Sequence, residues 1–223
     1  MRFEEAYELL RKPGDGPVSR WLNRRISVRI SLFLVGHDAP VSPMAMTFIS
    51  FLTALLAVPF FLLGWPLVGG LLAQLASILD GCDGEIARLT GRTSKRGGMV
   101  DAILDRVADT GLLAALGLMA YLRPPPGPLL PDPFWPPAVL VLTALALSGC
   151  LLVSYCSAIS RAVASREVRR LIATRDVRLF TIMLAGITCQ FLPWAASFFL
   201  LALVFLSWFE VASCLGQALA MRD

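Results

Sequence analysis

The chain has 223 residues, of which 57% are hydrophobic and 16% are charged, and its formal net charge is +4. Soluble domains are about 45–50% apolar and about 25% charged, so this composition favours an integral membrane protein. A membrane-spanning helix needs about 20 mostly apolar residues, which leaves room for roughly six spans and one short cytosolic segment. The five cysteines are scattered without a CxxC pair, which argues against a disulfide framework or a zinc site.

Residues 1–38 are predicted to form a cytoplasmic N-terminal segment. Residues 1–16 are charged and lack an apolar stretch, so they do not resemble a cleavable signal peptide. Within residues 17–35, apolar side chains and arginines recur at helical spacing, which is typical of an amphipathic helix lying on an anionic membrane surface. The alternative is that one or more of these arginines faces a phosphorylated substrate. The arginines concerned are Arg20, Arg24, Arg25 and Arg29.

Apolar runs predict that residues 39–223 form an all-α integral membrane domain with six transmembrane helices. Glycine and proline interrupt the runs at 64–66, 123–137 and 192–194, because proline lacks the N–H that a regular helix needs. The predicted spans are 44–63, 67–88, 98–121, 137–159, 178–194 and 196–216.

The distribution of Lys and Arg predicts the orientation of these spans. Seven of these residues fall in 1–38, four in 88–96 and six in 161–178, whereas the opposite side carries only Arg123. Short cytoplasmic loops hold the excess of basic residues. Both termini, and the junction between the second and third spans, are therefore expected on the cytoplasmic side of the plasma membrane.

That junction is rich in aspartate. Asp80 and Asp83 are three residues apart and Asp101 and Asp105 are four apart, so each pair shares one helix face. Ionised side chains inside a membrane are costly and mark function by default. Hard divalent cations such as Mg²⁺ take oxygen ligands and bridge to substrate phosphates, so we expect the four carboxylates to form a metal site.

Two other interpretations of the acids remain open at this point. The first is a buried network that pairs them with Arg88, Arg92 or Arg106. The second is a transporter or cation channel, although such proteins usually place intramembrane acids near the bilayer midplane. Asp109 extends the face of Asp101 and Asp105 by one turn, and we expect a structural role for it, such as a pair with Arg106.

The spacing of the acids and small residues resembles the signature of the CDP-alcohol phosphotransferase family, D-x2-D-G-x2-A-R-x8-G-x3-D-x3-D. All eight fixed positions are present, and the resemblance extends over about residues 17 to 216. It implies transfer of a substituted phosphoryl group from a CDP-alcohol to a second alcohol, with release of CMP. The eight positions are Asp80, Asp83, Gly84, Ala87, Arg88, Gly97, Asp101 and Asp105.

The resemblance also implies a role for each matching residue. Asp80, Asp83 and Asp101 match the family's metal ligands, and Asp105 matches a metal-site residue that is also the general base. Mg²⁺ or Mn²⁺, with two ions in the site, is the implied cofactor. A homodimer in contact with membrane lipids is implied, and no nucleic acid is expected as a partner. The positions that line the CDP site are Gly84, Ala87, Arg88 and Gly97.

An upstream element departs from the family pattern. Family members often carry Pro-Asn-x-x-Thr at the start of the first span, whereas this chain keeps Pro43 and Thr47 but has Met44 in place of the asparagine. Thr47 remains a candidate on the nucleotide side.

The substrates are predicted less sharply. Residues 15–31 and 77–89 look most like the membrane half of di-myo-inositol phosphate phosphate synthases, which implies CDP-inositol as donor and inositol phosphate as acceptor. The alternative is a phospholipid synthase that uses CDP-diacylglycerol or an archaeal ether analogue. A phosphorylated acceptor needs basic ligands, and Arg161 and Arg178 are the candidates because they lie at span ends. Positive-inside topology is the competing explanation for these arginines.

Overall fold

The computed structural model describes residues 3–11, 14–37, 41–126, 134–163 and 173–220. These residues form eight α-helices and no β-strand. A π-helical turn, Ser19–Asn23, leads into the second helix, and a 3-10 turn, Pro193–Ala195, precedes the last one. The helices are α1 (Phe3–Leu10), α2 (Arg24–Gly36), α3 (Pro43–Leu62), α4 (Pro66–Leu89), α5 (Lys95–Leu122), α6 (Trp135–Val163), α7 (Arg175–Cys189) and α8 (Ala196–Leu219).

Helices α3 to α8 correspond in order to the six apolar runs of the sequence. Among the described residues, three segments are long and apolar enough to cross a membrane by length and composition: Pro43–Leu62, Trp135–Ala162 and Pro193–Leu219. The other three long helices are α4 and α5, which carry charged residues along one end, and α7, which has 15 residues. The all-α membrane fold is therefore present, and its number of spans is considered with the function below.

Local signals fix where the helices that carry the acids begin. Ser94 accepts a hydrogen bond from the Gly97 backbone N–H at 3.0 Å, which satisfies one of the free donors at the start of α5. Gly64, with φ of 84°, makes the turn between α3 and α4, a backbone conformation that glycine adopts without strain. Gly64 thus precedes the start of α4, and Ser94 sets the start of α5, the two helices that carry the acids.

Small residues allow close packing between α4 and α7. A Cβ added to Gly186 would lie 2.8 Å from the Gly70 Cα and would also clash with the Pro66 carbonyl oxygen. A Cβ added to Gly70 would lie 2.8 Å from the Met183 carbonyl oxygen. Because these neighbours are backbone atoms, they cannot move aside as a flexible side chain would. The close approach fixes α7, and therefore the residue at its N-terminus, relative to the acids of α4.

Helix α2 packs on α4 through a polar face, which corrects one part of the sequence prediction. Trp21 is 78% exposed, and Arg25 and Arg29 are exposed, as expected for a surface helix. Arg24 is only 7% exposed, because it turns into the protein instead of joining the exposed arginines. The sequence could not distinguish Arg24 from Arg25, since its partners are distant in the chain.

The contact between α4 and α7 can be tested with Gly186→Ala. We expect the added methyl group to destabilise the protein by about 1–3 kcal/mol, the usual cost of overpacking, and to lower the unfolding temperature in detergent. Gly216→Ala in α8 is the matched control, because a Cβ there meets no atom within 4 Å. An unfolding temperature for Gly186→Ala equal to that of the control would show that α4 and α7 are further apart than described.

Candidate active site

The acids of α4 and α5 converge as predicted from their spacing. Asp80, Asp101 and Asp105 each present a carboxylate oxygen, and these oxygens lie within 4.8 Å of one another. Asp83 and Asp101 line the same cavity as Asp80. Thr47 of α3 donates a hydrogen bond to Asp83 Oδ2 at 2.6 Å. Three helices therefore contribute to one cluster, and Thr47 contacts it through an acid.

Arg175, the first residue of α7, lies at the centre of this cluster. Its Nη1 is 2.9 Å from Asp80 Oδ1 and 3.0 Å from Asp105 Oδ1, and its Nε donates to Asp109 Oδ1 at 3.2 Å. The alternative of a buried network named Arg88, Arg92 and Arg106 as partners of the acids, whereas the central arginine comes from another helix. Arg175 was identified only as one of six arginines in a basic segment, since no local pattern marks it.

Asp109 has the structural role that its position suggested. It is 6% exposed, and its Oδ2 accepts a hydrogen bond from Arg178 Nη2 at 2.9 Å. Arg106 Nη1 lies 3.8 Å from the same oxygen, so the predicted pair is present, although it is long. Asp109 thus anchors the first turn of α7 through Arg175 and Arg178 together.

The residues of the cluster fit a divalent cation. Asp80 Oδ1 and Asp101 Oδ1 are buried and have no hydrogen-bond partner among the described residues. Asp80 Oδ1 and Arg175 Nη1 are 2.9 Å apart, but the angle between them is unfavourable, so the contact is an ion pair by distance alone. Mg²⁺ and Mn²⁺ prefer carboxylate oxygens as ligands. The carboxylate oxygens of this cluster already surround one positive group, the guanidinium group of Arg175.

A polar cavity of about 180 Å³ opens beside the cluster. Its walls come from the segment before α2, from α2, α4 and α5, and from the start of α7. Most of its lining groups are hydroxyls, amides and carboxylates, with two guanidinium groups. The lining residues are Gly14, Asp15, Gly16, Ser19, Asn23, Arg24, Ser27, Ser77, Asp80, Gly81, Asp83, Asp101, Thr174, Arg175 and Asp176.

Arg24 is held on both sides by acids. Its Nε and Nη2 donate to the two oxygens of Asp15 at 2.9 and 2.8 Å, and its Nη1 donates to Glu85 Oε1 at 2.6 Å. Glu85 also accepts from the Ser27 and Ser31 hydroxyls at 2.6 and 2.7 Å. Burial alone would lower the pKa of Arg24, but the two carboxylates raise it above its ordinary value, so the side chain stays charged.

The residues that resemblance assigns to the nucleotide lie outside the lining of this cavity. Gly84, Ala87 and Arg88 occupy the last two turns of α4, and Gly97 lies in the first turn of α5. Arg88 Nη2 donates to the Leu10 carbonyl oxygen at 3.4 Å, whereas its buried Nε has no hydrogen-bond partner among the described residues. Their role in binding CDP stays a prediction.

The two arginines predicted for the acceptor differ in their surroundings. Arg161 is exposed near the end of α6, and its Nε donates to the Ser157 carbonyl oxygen at 3.1 Å. Arg178 is 4% exposed and is engaged by Asp109 and by the Ala173 carbonyl oxygen, which gives it a structural partner. The acceptor role stays a prediction for both. Three more arginines of this segment lie outside the described residues: Arg166, Arg169 and Arg170.

Sequence reasoning missed two of the buried acids that support the site, Asp15 and Glu85, whereas Glu210 stands out in the sequence as an acid within an apolar span. Glu210 of α8 is 4% exposed, and its Oε2 accepts a hydrogen bond from the Ala173 backbone N–H at 3.1 Å, just before α7 begins. Asp15 and Glu85 went unnoticed because each looked like an ordinary charged residue. A charged residue inside an otherwise apolar helix, as at Glu210, is the one signal that could have pointed to a buried role.

Fold and site together define an all-helical membrane protein with a cluster of carboxylates that could hold a metal ion. The model of the CDP-alcohol phosphatidyltransferase family matches residues 41–219. The chain belongs to this family, whose members depend on divalent metal ions.

The similar proteins with known names include transferases and synthases. The chain is 43% identical over 178 residues to the bifunctional IPC transferase and DIPP synthase of Thermococcus kodakarensis, an alignment that covers 77% of this chain and 37% of that protein. It therefore spans little more than a third of that relative's length. It is 31% identical over 147 residues to the archaetidylinositol phosphate synthase of Pyrococcus horikoshii, covering 66% and 70% of the two chains.

Solved structures share the fold. The phosphatidylinositol phosphate synthase of Mycobacterium tuberculosis, with CDP-DAG bound, superposes with a TM-score of 0.65 at 20% identity, covering 87% of this chain and 92% of that one. A second structure of that enzyme, in complex with manganese and citrate, gives a TM-score of 0.64 at 19% identity and covers 89% and 93% of the two chains. At this level of identity the likeness concerns the fold alone.

The position of Arg175 leads to a prediction about metal binding. Arg175→Gln removes the positive group between Asp80 and Asp105, so we expect Mn²⁺ to bind about tenfold or more tightly, because a competing cation is lost. We also expect the metal-free variant to unfold at a lower temperature than the wild type and to recover on adding Mn²⁺. Calorimetric titration and thermal unfolding in detergent measure the two effects.

Arg123→Gln is the control for this experiment, since Arg123 is exposed at the opposite end of α5. It should change neither the Mn²⁺ affinity nor the metal-free unfolding temperature. Weaker Mn²⁺ binding by Arg175→Gln would contradict the idea that the guanidinium group and the metal ion occupy the same place.

Proposed function

We propose that the chain transfers a substituted phosphoryl group from a CDP-alcohol to the hydroxyl group of a second alcohol and releases CMP. The observation that carries this proposal is the convergence of Asp80, Asp101 and Asp105, with Asp83 attached, beside a polar cavity. Membership of the CDP-alcohol phosphatidyltransferase family supports it.

The side chains of the cluster have distinct proposed roles. Asp80, Asp83 and Asp101 hold a divalent cation, Mg²⁺ or Mn²⁺, and Asp105 contributes to the same site and acts as the general base. When bound, the cation supplies neutralisation of charge on the diphosphate of the donor. The manganese complex of the mycobacterial enzyme supports this assignment. Two ions are proposed, as in the family.

The reaction follows from these positions. Asp105 accepts the proton of the acceptor hydroxyl, and the acceptor oxygen forms a bond to the phosphorus that carries the donor alcohol. The bond between that phosphorus and the bridging oxygen breaks, and the electron pair leaves with CMP. Because a neutral alcohol is a poor nucleophile, a positioned carboxylate of this kind contributes about 10²–10⁴-fold. Arg175 Nη1 lies 3.0 Å from Asp105 Oδ1, so this contact helps to hold the carboxylate in position.

For the substrates we propose CDP-inositol as donor and inositol phosphate as acceptor. The name and the 43% identity of the Thermococcus relative support this pair. Arg161 and Arg178 remain the candidates for the acceptor phosphate, and Arg175 joins them because it lines the cavity. Gly84, Ala87, Arg88 and Gly97 are proposed to line the CDP site.

A second candidate function is a phospholipid synthase that uses a CDP-linked lipid. The Pyrococcus relative is named for a lipid product, and the mycobacterial structure of similar fold contains CDP-DAG. Both candidates use the same acids. They differ in the donor alcohol, which is soluble in one case and a lipid in the other.

The proposed arrangement in the membrane places all six helices α3 to α8 across the bilayer, with α2 on its surface. The exposed apolar side chains of α3, such as Phe48, Leu52 and Leu56, support contact with lipid. The basic segments predict that the acids face the cytoplasm and that the membrane is the plasma membrane. A homodimer is proposed from the resemblance to the family. Residues 1–38 and 39–223 are proposed as the N-terminal segment and the membrane domain.

Asp105→Asn tests the general base. We expect CMP release to fall by about 10²-fold or more, because the amide cannot accept the proton, while CDP-alcohol binding persists. Glu8→Gln, which changes an exposed acid on α1, is the control and should keep wild-type turnover. Turnover by Asp105→Asn near that of Glu8→Gln would contradict the assigned role.

A matrix of donors and acceptors distinguishes the two candidate functions. CDP-inositol and CDP-diacylglycerol are each supplied with inositol, inositol phosphate, glycerol phosphate or serine, and CMP is measured with Mg²⁺ or with chelator. We expect the fastest Mg²⁺-dependent release with CDP-inositol and inositol phosphate. Release only with CDP-diacylglycerol would favour the phospholipid synthase, and full release in chelator would refute a metal-dependent transferase.

A further inference from the structure

The segment before α2 crosses one side of the cavity, from the start of α7 to the middle of α4. At the α7 end, the Ser19 backbone N–H donates to Asp176 Oδ2 at 2.6 Å. Gly16 packs so closely against Asp176 and Thr174 that a Cβ would clash with both side chains. The backbone of this segment is therefore held against α7, the helix that carries Arg175. We call residues 14–24, which include the first residue of α2, the N-terminal strap.

At the α4 end, the strap is held by charge. Asp15 makes a two-point contact with Arg24, and Arg24 is tied to Glu85, which is fully buried on α4. Glu85 is two residues from Asp83 of the acid cluster. Two-point contacts between arginine and a carboxylate fix orientation as well as distance. The strap is thus clamped to the helix that presents Asp80 and Asp83.

The strap also contributes hydrogen-bonding groups of fixed orientation. Asn23 Nδ2 donates to Ser77 Oγ at 2.9 Å, and Asn23 Oδ1 accepts from Gln74 Nε2 at 2.7 Å. Asn23 and Ser77 both line the cavity. The amide of Asn23 is therefore locked by α4, and the cavity wall that it forms is rigid.

We propose that the strap is the wall that positions the acceptor alcohol, and that Asp15 and Arg24 are the positioning residues that hold it in place. The proposal rests on the function proposed above. The family match begins at residue 41, so the strap lies wholly outside it, although its residues form much of the cavity lining.

The chemistry of the cavity assigns it to the acceptor. The cavity has a volume of about 180 Å³, and apart from its glycines every residue that lines it is polar or charged. Its hydroxyl and amide groups suit a ligand with many hydroxyls. The residues assigned by resemblance to CDP lie further along α4 and outside the lining.

Asp15→Ala tests the proposal, and Arg24 keeps its ion pair with Glu85 in this variant. We expect the KM for inositol phosphate to rise about tenfold, since misplacement of positioning groups costs up to about 10²-fold, while the KM for the CDP-alcohol changes less than twofold. Asp15→Glu keeps the charge and should recover part of the loss. Arg24→Lys keeps the charge but loses the two-point contact, and should also raise the acceptor KM.

Arg25→Ala is the matched control, because Arg25 is adjacent in sequence and exposed. It should leave both KM values unchanged. An unchanged acceptor KM in Asp15→Ala, or an equal rise in the donor KM, would overturn the proposal, because a wall specific to the acceptor predicts neither.

Amide hydrogen exchange provides a readout that does not need turnover. Asp15→Ala should speed exchange across residues 14–23, including the Ser19 amide, and inositol phosphate should slow exchange there in the wild type. If the wild type releases no CMP from any donor, the proposed function fails. Amide hydrogen exchange across residues 14–23 is then the remaining test of the strap's role. Unchanged exchange in Asp15→Ala, or no protection by inositol phosphate, would overturn the strap's role.

Discussion

The structure depends on compensation of negative charge at the meeting point of α4, α5 and α7. Carboxylates from the first two helices would repel one another in a poorly hydrated setting, and Arg175 from the third lies between them. This explains why α7 must approach α4 so closely, through Gly70 and Gly186. Glycine packing along the helices and ion pairing at their ends therefore fix the same helix, one by shape and the other by charge.

Helix α4 presents different chemistry to two neighbours over a short distance. Asp80 and Asp83 point towards α5 and the cavity, whereas Glu85 is buried against α2, where Arg24, Ser27 and Ser31 satisfy it. The same turns of α4 thus hold both the acid cluster and Glu85, whose ion pair with Arg24 fixes the strap. A change in this ion pair would reach the cavity through the rigid backbone of α4 and not through a flexible loop.

The sequence predicted those features that depend on residues close together in the chain. The order of the long helices, the turn at 64–66 and the convergence of the aspartates followed from apolar runs, punctuation and helical periodicity. The sequence did not predict features that depend on contacts between residues far apart in the chain. Arg24 differs from Arg25 only because Asp15 and Glu85 meet it in three dimensions, and Arg175 differs from its basic neighbours only because α7 begins at the acids. A single sequence records the presence of these residues but not their pairing.

The charges of the cluster also constrain what it can bind. Five carboxylates, those of Asp80, Asp83, Asp101, Asp105 and Asp109, face three guanidinium groups, those of Arg106, Arg175 and Arg178. If all are ionised, two negative charges remain unmatched, and an uncompensated buried charge is strongly destabilising. One divalent cation balances that excess. A second cation would leave the cluster positive unless its ligands include further negative charge, which a donor diphosphate provides. If two ions bind, as proposed, this charge balance couples binding of the second ion to binding of the donor.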